Sequence, residues 1–229
     1  MPKAKETVLE IDLKALEHNF NFLKTKLDER TKFLAVVKAF AYGSAAVEIA
    51  KHLEQLNVDY FAVAYANEGV FLRDAGITTP ILILHPQKVN FSTLIECCLE
   101  PTLYNAGSLK AFIETAEEHQ QKNYPVHLKF NTGLNRLGFW ENDVDYILAK
   151  LKNIAALRVK SIFSHLAASE YLSQKEFTLH QIDTFKKIAT TFASGIGYQP
   201  LWHQLNTSGI LNYANIAQFD MVRSGIGLY

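Results

Sequence analysis

Lys38, which closes the apolar run KFLAVVK, is the most informative single residue of the chain. An ammonium is costly to desolvate, so lysine rarely occupies a buried strand without a reason. A desolvated lysine sheds its proton more readily, and the free amine can capture an aldehyde. Taken alone, Lys38 also fits a plainer reading, with its stem on apolar surface and its head in water. Other polar residues close later apolar runs in the same manner. Lys129 and Asn131 end PVHLKFN and lead to Arg136, His165 ends VKSIFSH, Asn206 with Thr207 follows PLWHQL, and Arg223 lies in MVRSGI. Gathered at one rim, these cations, the imidazole and the amides would make a small-molecule site rich in anion-binding groups. The stretch Ser224-Gly225-Ile226-Gly227 is glycine-poor for a phosphate loop. Backbone N–H groups beside Gly225 could nevertheless approach a phosphate closely, and Thr207 would add a hydroxyl donor.

Such residues need a scaffold whose strand ends converge. The runs Lys32–Lys38, Tyr60–Ala64, Pro80–Leu84, Pro101–Tyr104, Pro125–Asn131, Val159–His165, Pro200–Asn206 and Met221–Ile226 read as strands. Several are nearly continuous in apolar residues, as expected for parallel strands covered on both faces. Helical periodicity fills the intervals, for example over Asp12–Asp28, Ala45–Leu56, Asn67–Ala75, Ser108–Gln121 and Leu172–Ala193, with Gly76 as a stop signal and Ser173 as a start signal. This alternation predicts an α/β fold, a parallel eight-stranded (β/α)8 TIM-type barrel. A doubly wound open sheet is the alternative, but no Gly-rich dinucleotide fingerprint follows an early strand. A helix precedes the first strand and none follows the eighth, so the leading helix must fill that place or the place is empty. The Thr7–Ile11 run could pair elsewhere, as with a second domain.

Composition narrows the function classes. The chain has 229 residues, 48% of them hydrophobic, and its 23 Lys plus Arg balance 23 Asp plus Glu. Disorder is excluded by that hydrophobicity, and a chain-wide basic footprint for nucleic acid by the zero net charge. No apolar run reaches the roughly 18 residues of a membrane helix, and the start MPKAKETVLE lacks the apolar core of a signal peptide. Cys97 and Cys98 are adjacent and ill-placed to bridge each other, which points to a reduced, cytoplasmic compartment.

In combination these segments resemble the alanine racemase family. Val37-Lys38-Ala39-Phe40-Ala41-Tyr42-Gly43 is similar to its pyridoxal-phosphate lysine motif, and the segment from His127 to Gly138 to its fifth-strand motif. Ser164-His165-Leu166-Ala167, Asn206-Thr207-Ser208-Gly209 and Met221 through Tyr229 follow in the family's order. The resemblance covers essentially the whole chain and implies a single pyridoxal-phosphate-binding barrel domain over residues 1–229. It implies that Lys38 holds the cofactor covalently and serves as acid and base on one face of the substrate carbon. Tyr42, Asn206, Thr207, Gly225 and Ile226 would bind the cofactor, and Arg136 would reach its phenolic oxygen and the substrate carboxylate. Lys129 matches a position often carbamylated in the family, an anion that positions Arg136. Arg223 would face the pyridine nitrogen with His165 beside it. An arginine keeps its proton, so the ring stays a weaker electron sink and prompt reprotonation is favoured over transamination. No metal is implied.

The sequence departs from the family pattern at Phe40, where Asp is usual, at Ser44 and Ala45 in place of His-Gly, at Asn131 in place of Asp, and at Ser224 in place of Pro. The resemblance further implies a following β-rich domain, absent here, which supplies the opposite-face tyrosine across a homodimer. Racemisation by two bases needs an acid/base on each face. The expectation is therefore cofactor binding with weak or no turnover by this chain alone. The implied setting is cytoplasmic interconversion of L- and D-alanine, supplying D-alanine for peptidoglycan of the cell wall. The alternatives are a single-domain pyridoxal-phosphate carrier, a racemase of another amino acid or a decarboxylase on the same barrel, and a purely structural protein indifferent to Lys38.

Overall fold

The computed structural model describes residues 7–229. The opening residues 1–6, and with them most of the stretch read against a signal peptide, lie outside the described residues. Eight parallel strands close into a barrel in sequence order: β1 Lys32–Val36, β2 Tyr60–Val63, β3 Ile81–Ile83, β4 Glu100–Leu103, β5 Tyr124–Lys129, β6 Leu157–Phe163, β7 Leu201–His203 and β8 Met221–Ser224. Pairing of Leu34 with Arg223 joins the last strand to the first. Closure removes the doubly wound sheet from consideration. Around the barrel run α1 Leu13–Lys24, α2 Ala46–Gln55, α3 Ala66–Asp74, α4 Phe91–Glu96, α5 Ala106–Glu118, α6 Val144–Leu151, α7 Lys175–Ile196 and α8 Thr207–Ala217. No described helix is long and apolar enough to cross a membrane.

Helix α1 fills the place after β8. The Asp12 side chain caps it by accepting from the backbone N–H groups of Lys14 and Ala15. Its buried stripe of Leu16, Phe20 and Leu23 faces the β8–β1 seam, where the Phe20 ring meets Phe33 of β1 edge-on at 4.9 Å. Helix α1 packs against α2 and the 3₁₀ turn Ile226–Leu228, and Asn19 donates to the Leu228 carbonyl at 3.3 Å. Residues 7–12, by contrast, enter no strand, and Val8 and Leu9 are exposed.

Alternation along each strand splits the buried residues into two sets. Phe33, Ala35, Phe61, Val63, Ile81 and Ile83 join the large cluster beneath the helices. Leu34, Val36, Tyr60, Ala62, Leu82 and Met221 form a separate apolar cluster within the barrel. The remaining side of that interior is polar: Glu100, Thr102, His127, Lys129, Ser161, His203 and Arg223 are all buried. Parallel strands β4 to β8 thus carry hydrophilic side chains where packing alone would select Val, Ile or Leu.

Several expected boundaries shift. Strands β1, β6, β7 and β8 end before Lys38, His165, Asn206 and Ile226, because the chain turns outward at the rim to form loops. The long helix starts at Lys175 and not at Ser173, which lies within the 3₁₀ turn Leu172–Gln174. Gly76 does end α3, in a left-handed conformation with φ +90°.

Candidate active site

A cavity of about 570 Å³ opens at the C-terminal ends of the strands. Ten of the residues expected there line it, Lys38, Tyr42, Lys129, Arg136, His165, Asn206, Thr207, Arg223, Gly225 and Ile226, whereas Asn131, two residues beyond the end of β5, is buried and does not. Four of them are cations, and no carboxylate is among the lining residues. The cavity therefore attracts anions of small-molecule size.

Lys38 does not sit in a buried strand, as its sequence context suggests. It lies two residues beyond β1 and is half-buried, at the start of a turn spanning Lys38–Gly43. Ala39, Phe40, Ala41 and Tyr42 all have φ between 51° and 57°, one turn of left-handed helix built without glycine or asparagine. Each such residue costs about 1–2 kcal/mol, so the surroundings must hold the turn. A glutamate that the sequence reading missed does so. One Glu68 oxygen accepts from the Ala39 N–H at 2.6 Å, and the other accepts from Ala64 and Tyr65 N–H at 2.6 and 3.0 Å. The only sequence signal for this role is a Glu in the first turn of α3, a common helix-start pattern.

The turn brings Tyr42 over the backbone of Gly225. A Cβ at Gly225 would collide with the Tyr42 hydroxyl, and one at Gly227 with the Thr207 methyl. The Thr207 hydroxyl accepts from the Gly225 N–H at 3.3 Å and lies 3.1 Å from the Ser224 hydroxyl. Asn206 caps α8, its side-chain oxygen accepting from Gly209 N–H and from the Ser169 hydroxyl. Two hydroxyls, backbone N–H groups beside a required glycine and the start of an eleven-residue helix converge on one end of the cavity. That donor set fits a phosphate.

Arg223 occupies the floor and is 4% exposed. One of its terminal nitrogens donates to His203 Nδ1 at 2.7 Å. The other reaches the carbonyls of Ser164 and Gln204 at 2.6 and 3.1 Å and His165 Nδ1 at 3.3 Å. Burial pulls its pKa down to about 9, which leaves it cationic at neutral pH. His165 is held neutral, its pKa pushed down to about 3 by burial and then by Arg223, Arg136, Lys129 and Lys38. Lys129 is 6% exposed and donates to the Leu137 carbonyl at 3.1 Å. Burial, then Arg136 and Arg223, lowers its pKa to about 8. Arg136 itself is exposed on the loop after β5. Asn131 shapes that loop by accepting from Gly133 and Asn135 N–H and donating to the Asn135 side chain. The cavity wall also contains Tyr65 and His85; Tyr65, His85 and Tyr104 form an aromatic row that the sequence reading did not anticipate.

Fold and site together define a (β/α)8 barrel with a lysine- and arginine-lined pocket at the C-terminal ends of its strands. The profile of the family described as "Alanine racemase, N-terminal domain" matches residues 11–229, and the chain belongs to that family. It is 37% identical over 223 residues to an alanine racemase of Thermodesulfovibrio yellowstonii, covering 96% of this chain and 59% of that protein. An alanine racemase structure from Clostridium difficile superposes with a TM-score of 0.89 at 32% identity, over 95% of this chain and 56% of that one. One from Bacillus anthracis with bound L-Ala-P gives 0.90 at 26% identity, over 100% and 59%. The chain spans about 60% of the length of the curated relatives it matches.

Proposed function

We propose that this chain is the cofactor-binding barrel of a pyridoxal 5'-phosphate-dependent alanine racemase. One observation carries the reading: Lys38, Arg223 and the Tyr42–Thr207–Gly225 cradle line a single cavity. When bound, pyridoxal phosphate supplies an aldehyde for an amine to capture and a ring that acidifies the α-hydrogen of the attached amino acid. The hydroxyls of Tyr42 and Thr207 and the N–H groups of Gly225 and Ile226 would hold its phosphate. Arg223 would meet the ring nitrogen as a donor that keeps its proton, and neutral His165 would accept from Arg223 and fix its direction. Lys38 Nζ would be the group that takes and returns a proton on one face of the substrate carbon. Arg136 would receive the substrate carboxylate, and Lys129, as a carbamate, would supply the anion that holds Arg136 in place. A neutral amine is the form that reacts with CO₂, and the lowered pKa of Lys129 supports that modification.

No group for the opposite face is assigned among these residues, so the 229-residue chain alone should racemise alanine slowly. We place the activity in the cytoplasm, in a homodimer, supplying D-alanine for peptidoglycan. The test is an absorbance scan of the purified chain with added cofactor, followed by α-hydrogen exchange of L- and D-alanine in deuterated water. A band at roughly 420 nm that Lys38→Ala removes, with one enantiomer exchanging faster than the other, is the expected result. Absence of any Lys38-dependent band overturns the reading. A band without exchange of either enantiomer would leave a cofactor carrier in its place.

A further inference from the structure

The polar half of the barrel interior contains a continuous line of hydrogen bonds that the pocket does not account for. It runs from Arg223 to His203 Nδ1 at 2.7 Å, from His203 Nε2 to the Ser161 hydroxyl at 2.8 Å, from that hydroxyl to His127 Nδ1 at 2.6 Å, and from His127 Nε2 to Glu100 Oε2 at 2.6 Å. The two histidines and Ser161 are fully buried, and Glu100 is 9% exposed. Glu100 is the first residue of β4, at the end of the barrel away from the cavity, whereas Arg223 forms the cavity floor.

We propose that Glu100 is a positioning residue for Arg223, acting through His127, Ser161 and His203 as a polarised hydrogen-bond chain. The direction of every proton in it is forced. Arginine has only donors, so His203 Nδ1 must offer a lone pair and carry its proton on Nε2. That proton goes to Ser161, whose own hydroxyl proton is then free for His127 Nδ1. His127 in turn carries its proton on Nε2, where the Glu100 carboxylate accepts it. If Glu100 were protonated and donating, two imidazole N–H groups would converge on the Ser161 oxygen. The hydroxyl proton would then have no acceptor in the chain, a costly buried defect. His203 is kept neutral by burial and by the Arg223 charge.

The consequence is a displaced counter-charge. Arg223 is a buried cation with no carboxylate within ion-pair distance among the described residues. Its balancing anion lies four hydrogen bonds away, beyond three intervening residues. The other charged or titratable neighbours of Glu100 are the Tyr60 phenol on β2 and the Tyr124 phenol on β5, both with pKa pushed up by burial first and by Glu100 among their neighbours, and Arg73 on α3. The Arg73 guanidinium is committed to the carbonyls of Ile77, Thr79, Cys97 and Cys98. On the functional reading above, on which this consequence rests, a carboxylic acid beside Arg223 could protonate the ring nitrogen. Moving the anion to the far end keeps the guanidinium charged and oriented while no acid stands near the ring.

The test is long-range ¹H–¹⁵N NMR on the full 229-residue chain without cofactor at neutral pH, with His127 and His203 assigned from single replacements by Gln. Both rings are expected neutral with the proton on Nε2. A Nδ1–H tautomer or an imidazolium at either position overturns the chain. Glu100→Gln and the nearly isovolumetric Ser161→Ala should then each accelerate exchange of the Arg223 guanidinium protons about tenfold, one charge-assisted hydrogen bond's worth. If Glu100→Gln does not fold, Ser161→Ala decides. Exchange within about twofold of wild type in the folded variants, whatever their melting temperatures, makes Glu100 merely structural and overturns the proposal. Because no cofactor is used, failure here leaves the Lys38 reading intact, and failure of that reading leaves this chain of bonds standing.

Discussion

The end of the cavity proposed to hold the phosphate depends on the absence of one carbon atom. At Gly225 a Cβ would meet the Tyr42 hydroxyl, so Gly225→Ala must displace either the backbone donors or the phenol. It should weaken binding of pyridoxal phosphate roughly 10–100-fold, the loss of about one hydrogen bond to a charged group. Adding Tyr42→Phe, which removes the colliding oxygen, should make the second change less costly than it is alone; calorimetric titration of the four proteins reads that coupling. Lys129 makes a separate prediction about pH. Its folded pKa of about 8 lies below the ordinary 10.5, so between those values the unfolded chain holds the extra proton. Stability from this residue therefore rises with pH across that window, and below about 8 the full cost of a buried ammonium is present. The integrated effect is about 3 kcal/mol at most. Urea unfolding from pH 7.5 to 9.5 should show a positive slope that Lys129→Met reduces. With ¹³C-labelled bicarbonate near pH 8.5, a carbamate resonance should appear that the same substitution removes.

At the scale of elements, the left-handed turn Lys38–Gly43 is the feature that sequence reading could not supply. Ala-Phe-Ala-Tyr contains none of the residues that usually mark positive φ, and only the Glu68 carboxylate, 29 residues beyond Ala39, shows how the turn is held. Glu68→Ala should destabilise the fold by about 2 kcal/mol through three unmet backbone N–H groups. It should also lower cofactor affinity, and Glu68→Gln should recover part of both; denaturant titration and cofactor binding measured on the same samples check this. The strands were legible because buried parallel strands read as unbroken apolar runs, as in Ala35-Val36 or Ile81-Leu82-Ile83. Their ends were not. Lys38, His165 and Asn206 looked like strand termini, yet each stands on a loop beyond its strand, since a polar residue after an apolar run signals the rim without fixing the last ladder bond. Glu100, His127, Ser161 and His203 drew no notice because their relation exists only once barrel register sets β4 beside β5, β5 beside β6 and β6 beside β7.

For the molecule as a whole, closure makes the first helix and the last strand interdependent. Phe20 on α1 packs on Phe33 of β1, which pairs with Val222 of β8. Phe20→Ala should cost about 3–5 kcal/mol in one cooperative transition, seen equally by circular dichroism and tryptophan fluorescence, because the seam cannot open without opening the barrel. The same closure gathers one amine from the turn after β1 and one buried guanidinium from β8, at opposite ends of the sequence, into a single cavity. The most direct measurement is to load the chain with pyridoxal 5'-phosphate, trap it with borohydride and map the peptides by mass spectrometry. The cofactor's mass should appear on the peptide containing Lys38 and be lost in Lys38→Ala. Label confined to Lys129, scattered over surface lysines, or absent would contradict the account.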